Sequence, residues 1–431
     1  MSNAVEATGD DCPLPVSAQR RNILCYAIFW CIFYLAAPVS YVGLTHANLL
    51  KGLGNNDTVS NLPSAVYEWL VFVPMLLAWL FPHPRHLKPL SLVAVGLMAC
   101  STGAVAFTLW SNAQPNIASA VVIGQAAIFG AANGVLITGL WDFLRRGVST
   151  SRRGVALGFT FGIGPLFACV GALLQDAVFE GKLLGGYSFG LEFPGNYLAM
   201  FAFVTPLLLM AGIATSMFTI PQSPSTHSDS STKLDLVDGF KQFLRNRNVM
   251  IAIAIYVLVY SGGNAIFANV SLHAKSILGE TTDTLGIQSF LRFGFKSAAG
   301  ALLGWLLTAS SPRATLVATT SILLTGMIWA LTSNGWWFMA TFGLLGAGEL
   351  FGAHFPNYVA SASQKRYVRL NMALLTALSA FIGFSSLAFG IISDRYGRIA
   401  SFYVSAGMLV AALILIAWLL PADPTPSKND E

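Results

Sequence analysis

Pro221-Gln-Ser-Pro-Ser-Thr-His-Ser-Asp-Ser-Ser-Thr232 and Leu234-Asp-Leu-Val-Asp-Gly-Phe-Lys-Gln-Phe-Leu-Arg-Asn-Arg-Asn248 interrupt an apolar chain of 431 residues near its middle. The first part is a Pro/Ser-rich connector. The second places Leu234, Val237, Phe240 or Lys241 and Leu244 at helical spacing, which predicts a short amphipathic helix lying on the cytoplasmic membrane surface. On the N-terminal side, apolar stretches of bilayer-spanning length recur near 23–50, 63–81, 89–110, 116–144, 154–175 and 197–219. On the C-terminal side they recur near 248–274, 284–310, 314–333, 336–360, 370–392 and 399–420. About 20 apolar residues cross a hydrocarbon core, so the pattern reads as six spans, a connector and six spans. Pro63, Pro89, Pro115 and Pro421 are expected at span ends, where a missing N–H does no harm.

Composition agrees with a chain that faces lipid. Apolar residues make up 55% and charged residues 10%, against about 25% charged in soluble domains. Too few charges remain to cover a water-soluble surface, whereas lipid penalises them. The net charge of +5 comes with no basic tract interleaved with aromatics, so a nucleic-acid partner is not expected. Five cysteines, four of them in apolar segments, form neither a disulfide framework nor a metal-ligand spacing. No Gly-x-x-x-x-Gly-Lys-Ser/Thr loop is present, and no His/Asp/Glu cluster has metal or nucleophile spacing. The expectation is a protein that is not an enzyme and needs no metal or cofactor.

Lys and Arg placement sets the topology. With the N-terminus in the cytoplasm, seventeen of the 24 fall inside and five outside, namely Lys51, Lys182, Lys275, Arg395 and Arg398. Arg292 and Lys296 lie within a span. The organisation expected is a cytoplasmic tail over 1–22, a six-helix bundle over 23–219, the connector over 220–247, a second bundle over 248–420 and a cytoplasmic tail over 421–431. Both termini are then cytoplasmic in a multi-pass membrane protein, of the inner cell membrane if the source is bacterial.

The two halves carry matching features. Asp57 and Asp283 stand 226 residues apart, and so do Trp79 and Trp305; each Trp precedes a Pro-Arg pair, Pro84-Arg85 and Pro312-Arg313. Gly171-Ala-Leu-Leu-Gln-Asp176 likewise parallels Gly390-Ile-Ile-Ser-Asp394. Parallel repeats place a solute site between the halves near mid-bilayer.

With twelve spans, parallel halves and a central connector, the chain resembles the major facilitator superfamily over its whole length. Ser151-Arg152-Arg153-Gly154-Val-Ala-Leu-Gly158 is similar to that family's Arg-Gly-x-Ala-x-Gly pattern after span four. Gly162-Ile-Gly164-Pro165 resembles the Gly-Pro core of its exporting members, although Ala168 and Cys169 replace the paired glycines that follow. The family's Gly-x-x-x-Asp-Arg-x-Gly-Arg loop is matched by Gly390, Asp394, Arg395, Gly397 and Arg398. That loop falls between spans eleven and twelve, on the outer side, rather than after spans two or eight; there Ala78 and Pro82, and Gly304 with Thr308, stand in the pattern. The resemblance implies an all-α integral membrane fold of twelve transmembrane helices in two pseudo-symmetric six-helix bundles. It also implies a central cavity lined by spans one, four, seven and ten.

Charges inside spans are costly and point to function. They are Glu68 in span two, Arg292 and Lys296 on one face of span eight, and Glu349 in span ten. Similar depths along their helices predict a contact of Lys296 or Arg292 with Glu349. Two readings stay open: a fixed neutralising salt bridge, or a site that binds an anion and exchanges a proton on Glu349. Glu68, reckoned from Pro63, sits shallow, as an outer-vestibule residue and second proton candidate. Tyr41, Asn133 and Asn264 are the uncharged candidates for solute contact, with helix-to-helix hydrogen bonding as the competing account. Ser261-Gly262-Gly263 could bend span seven, and Pro38 is expected to kink span one. Asp142 with Arg145 could belong to an inner gate or to an ordinary helix-end ion cluster. His46 and His354 read as packed, hydrogen-bonded histidines.

The function expected is secondary active transport of a small polar or anionic solute by alternating access with proton coupling, by a chain working as a monomer in the lipid bilayer. Two alternatives stand beside it: an antiport-type exporter of amphipathic compounds, and a transporter-like sensor or assembly protein without turnover.

Overall fold

The structure is a computed structural model, described here over residues 14–80, 84–221, 246–279, 283–362, 371, 374, 375, 377–422 and 424. The connector helix expected from Leu234 to Leu244 lies outside the described residues. Every regular element among those described is a helix.

Before the connector come α1 (Val16–Leu35), α2 (Ala37–Ser40), α3 (Leu44–Gly52), α4 (Asp57–Leu70), α5 (Val73–Leu80), α6 (Leu87–Trp110), α7 (Pro115–Gly147), α8 (Thr150–Gly158), α9 (Gly164–Phe179) and α10 (Gly195–Ser216). After it come α11 (Arg247–Gly263), α12 (Phe267–Leu278), α13 (Leu285–Ala309), α14 (Pro312–Thr332), α15 (Ala340–Gly348), α16 (Phe351–Ala362), α17 (Ser379–Tyr396) and α18 (Arg398–Leu419). Among the described residues, six stretches are long and apolar enough to cross a membrane: α6, α7, α10, α11 with α12, α14 and α18. Among the rest, α1 to α3, α4 with α5, and α15 with α16 are cut by breaks, while α13 carries Arg292 and Lys296. The interruptions and charges that spoil a simple apolar span are thus concentrated in the helices that build the site.

Two boundaries differ from the sequence reading. The first helix begins at Val16, behind Pro15, rather than near residue 23. Pro63 lies inside α4 rather than at its end, because the helix starts at Asp57, where the Asn56 side chain accepts the Val59 N–H at 2.9 Å. That cap satisfies one of the orphan donors of the first turn and fixes the start there.

Packing divides into two sets. α6 packs on α7 and α10, and α1 packs on α9 and α10; after the connector, α18 packs on α11 and α14, and α15 packs on α13 and α14. The sets meet where α4 lies against α17, α9 against α13, and α3 against α12. Glycines permit the closest approaches. A Cβ on Gly383 of α17 would stand 2.6 Å from Ala65 O of α4, and one on Gly286 of α13 would stand 2.4 Å from Asp176 Cβ of α9. Such small-residue contacts replace the hydrophobic effect as the source of helix association in lipid.

Candidate functional site

Three helix breaks carry three of the residues singled out in the sequence. α2 ends at Ser40, and the chain passes through Tyr41, Val42 and Gly43 (φ 145°) before α3 begins. The Ser40 hydroxyl donates to Ala36 O at 2.6 Å, and such back-bonding next to Pro38 bends helices. α11 stops after Gly263, and Asn264 holds its end by donating its backbone N–H to Tyr260 O at 2.9 Å. α15 stops after Gly348, so that Glu349 and Leu350 form the turn into α16.

Glu349 meets both cations of α13. Its Oε1 pairs with an Arg292 guanidinium nitrogen, and its Oε2 accepts from Lys296 Nζ at 3.0 Å. The side chains of Arg292 and Glu349 are each 7% exposed and that of Lys296 is 13% exposed. Local sequence explains the approach. A Cβ on Gly346 would lie 2.2 Å from Arg292 O, and one on Gly343 would lie 2.8 Å from the Phe295 ring. Only glycines let α15 press onto α13 this closely. The Arg292 guanidinium also lies 4.1 Å from the Phe267 ring centroid and 5.3 Å from that of Tyr41; Lys296 Nζ is 5.3 Å from Tyr41. Desolvated cation–π contacts of this kind contribute about 2 kcal/mol each. Two cations therefore face one carboxylate, leaving one positive charge in excess, and Arg292 Nε has no hydrogen-bond partner.

Glu68 stands apart from this cluster. Counted from Asp57, it lies eleven residues into its helix, roughly 16 Å along the axis at ~1.5 Å per residue. It is therefore deep rather than shallow, a change that follows from the helix starting before Pro63. Among the described residues its carboxylate has no hydrogen bond or ion pair, while it acts electrostatically on Tyr67, Tyr256 and Tyr260. Asn133 is fixed beside it, donating to the Tyr67 hydroxyl at 2.7 Å. Gly130 and Gly134 of α7 allow that contact, since Cβ atoms there would meet Tyr67 O at 2.3 Å and Val71 O at 2.8 Å. The side chain of Asn264 makes no hydrogen bond among the described residues. The tyrosines were not singled out in the sequence; the spacing of Tyr256 and Tyr260 by four, on a span already holding Asn264, was the available signal.

The remaining candidates separate. Asp142 pairs with Arg145 at 3.0 Å and Arg146 at 3.0 Å on its own helix, and Arg153 donates to Val148 O and Arg145 O. Gly154 lies in α8. These contacts tie the end of α7 to the start of α8. His46 shares a 2.9 Å hydrogen bond with Gln125 and is fully buried, as a packed histidine would be.

The 390–398 stretch joins the two sets of helices. Asp394 accepts the backbone N–H groups of Asp57 at 2.9 Å and Thr58 at 2.8 Å, and the Thr58 hydroxyl as well. A carboxylate at a helix N-terminus is stabilised by the helix dipole and the free N–H groups there. Gly397, at φ 84°, makes the turn into α18 that a side chain would strain. Arg398 then donates to Asp57 at 2.6 and 3.0 Å and to Leu272 O at 3.0 Å. Arg395 takes no part and lies over the Tyr396 ring. Nearby, Asn48 donates to Ser271 at 2.7 Å and Asn61 to Asn269 at 2.7 Å, again across the two sets. Burial works against the Asp57 charge, but hydrogen bonds from Arg398 and Lys51 outweigh it and hold the carboxyl below its ordinary range.

Residues 254–431 match the family model described as Major Facilitator Superfamily. Over that stretch the chain is similar to the Major Facilitator Superfamily. Its fold extends the likeness to nearly the full length. A crystal structure of a D-xylose-proton symporter superposes with a TM-score of 0.70 at 13% identity, covering 94% of this chain and 98% of that one. One of the nucleoside transporter NupG gives 0.67 at 12%, covering 92% and 99%. One of the fucose:proton symporter FucP of E. coli gives 0.57 at 15%, covering 93% and 99%. No curated protein matches the chain. The matching family model and these similar solved structures are those of membrane transporters, and the apolar helices among the described residues are those of an integral multi-pass membrane protein.

Proposed function

We propose that this chain is a member of the Major Facilitator Superfamily and a secondary active transporter that moves a small anionic solute by alternating access. It does so as a monomer of twelve spans in two six-helix bundles joined by the 220–247 connector, with both termini cytoplasmic. The observation that carries the proposal is the charge imbalance at Arg292, Lys296 and Glu349, buried between helix breaks with Arg292 Nε unpartnered. A buried pair of cations facing one carboxylate lacks one anion. A solute carboxylate or similar group supplies it, drawing on charge-assisted hydrogen bonds that Arg gives in a planar fork. Tyr41 closes over the cations from the other bundle, so the site needs both halves. When the solute engages Arg292 and Lys296, Glu349 loses its partners and takes up a proton, which couples solute to proton movement. The fold shared with two sugar–proton symporters is compatible with that coupling.

The test uses purified protein in vesicles with anionic, neutral and cationic solute pools. Anions should exchange, and Glu349→Gln should abolish pH-gradient-driven accumulation while sparing exchange. Accumulation that survives in Glu349→Gln removes the proton assignment. Flux restricted to neutral or cationic solutes removes the anion site.

A further inference from the structure

The unpartnered Glu68 has a second set of neighbours that the anion site does not use. The charged residues that the sequence places well inside spans are Arg292, Lys296, Glu349 and Glu68. They sum to zero, but they are not mixed. The two cations hold Glu349 at one pole, leaving it net positive, and Glu68 stands alone at the other. Tyrosines connect the poles: Tyr260 feels both Glu68 and Glu349, and Tyr41 feels Glu349, Arg292 and Tyr67.

Aromatic faces gather on α11, whose Tyr256 and Tyr260 the Glu68 charge acts on. The Tyr256 and Tyr260 rings lie 4.5 Å apart, and Tyr256 is 4.9 Å from Phe355. Gly352 makes room for the Tyr260 hydroxyl, 2.0 Å from where a Cβ would be. Beside Glu68, the buried Trp69 Nε1 and Asn133 Oδ1 have no hydrogen-bond partner. A carboxylate without a partner among aromatic faces is the arrangement that receives an ammonium, through charge and cation–π attraction together. Glu68 is half-buried; a carboxylate drawn out of water without a partner is costly, and an ammonium group relieves that cost in the way a solute anion relieves the excess at Arg292 and Lys296.

We propose that the solute is a zwitterion, its anionic group held by Arg292 and Lys296 and its ammonium group by Glu68 within the Tyr67, Tyr256 and Tyr260 faces. This rests on the anion-site reading above and names its substrate class. A zwitterion itself carries no net charge, so the one charge that loading adds to a site surrounded by lipid is the proton taken up on Glu349.

The experiment is competition for exchange in vesicles, using ω-amino carboxylates of increasing length, the matching carboxylates without an amine, and the matching amines without a carboxylate. Wild-type protein should prefer one ω-amino carboxylate over its matched carboxylate by about tenfold or more, as a hydrogen bond between charged groups gives. Glu68→Gln should remove that preference while the plain carboxylates keep competing. Plain carboxylates competing as well as their amino partners overturns the zwitterion and leaves the anion site standing. Amines competing while carboxylates do not overturns the anion site and, with it, this assignment. A preference retained in Glu68→Gln, or no competition by any probe, overturns the proposal. Should Glu68→Gln not fold, Glu68→Asp keeps the charge on a shorter arm, so the preferred solute should move to the next longer spacer. An unmoved preference overturns it too.

Discussion

Removing the guanidinium of Arg398 tests how the two sets of helices are held together at the 390–398 turn. Arg398 makes a two-pronged bond to Asp57 at 2.6 and 3.0 Å and a third to Leu272 O at 3.0 Å, with the Asp57 side chain 7% exposed and that of Arg398 18% exposed. Breaking a buried pair from one side costs about 3–5 kcal/mol when the remaining charge is left alone. Asp57 is not left alone, because Lys51 still donates to it at 2.8 Å, so about 2–3 kcal/mol is the better figure for charge-assisted bonds. The bond crosses between α4 and α18, so that energy is lost from the joined state and not from one that has parted there. At about 1.4 kcal/mol per tenfold, Arg398→Ala should raise the parted population about 30- to 150-fold. Ser271, whose hydroxyl accepts from Asn48 across the same junction and is fully buried, reports the change. A single cysteine there, in a background without others, should react with a membrane-impermeant maleimide faster by that factor, while Arg398→Lys should give a smaller rise. The folded pKa of Asp57 is depressed, so its contribution is fully present above the unfolded value near 3.8 and is lost only as pH falls through the lower folded value. Wild-type labelling should therefore stay slow from pH 5 to 8. Labelling of Arg398→Ala within twofold of wild type would falsify the clamp.

Two further outcomes follow from particular contacts. Asp283, at the loop before α13, is pushed up to about 6, chiefly by burial. A raised folded pKa means stability present below about 3.8 and lost as pH rises through about 6, so Asp283→Asn should raise the melting temperature more at pH 7.5 than at pH 4.5, and an equal change at both pH values contradicts this. Gly346→Ala puts a Cβ 2.2 Å from the Arg292 backbone oxygen; overpacking of about 1–3 kcal/mol should lower the melting temperature and anion exchange together, and wild-type values for both show that the close approach is dispensable.

Several parts of this organisation are legible in the residues. Apolar stretches are set by a bilayer thickness that does not depend on how helices are arranged, so the membrane class follows from composition and length. Arg292, Lys296 and Glu349 were identifiable as a set because charges in lipid are rare and must meet, and a spacing of four puts the two cations on one face. Ser261-Gly262-Gly263 marked the break that ends α11, since residues without bulky side chains weaken a helix wherever they occur.

What the residues did not reveal depends on which surfaces meet. Glu68 was misplaced because Pro63 looked like a helix start, whereas the Asn56 cap set the start earlier and carried Glu68 deeper. The tyrosines on which these charges act come from α4, α11 and the break after α2, and nothing local tells which charges their rings will adjoin. The 390–398 stretch was recognisable as a motif, but its partners, Asp57 and Thr58, lie more than 330 residues away. Sequence alone fixed which groups cannot rest unpaired in lipid, because that cost belongs to each residue. Tertiary structure alone decided which of them are paired, because partners are supplied by helices brought together through glycine contacts that span the length of the chain.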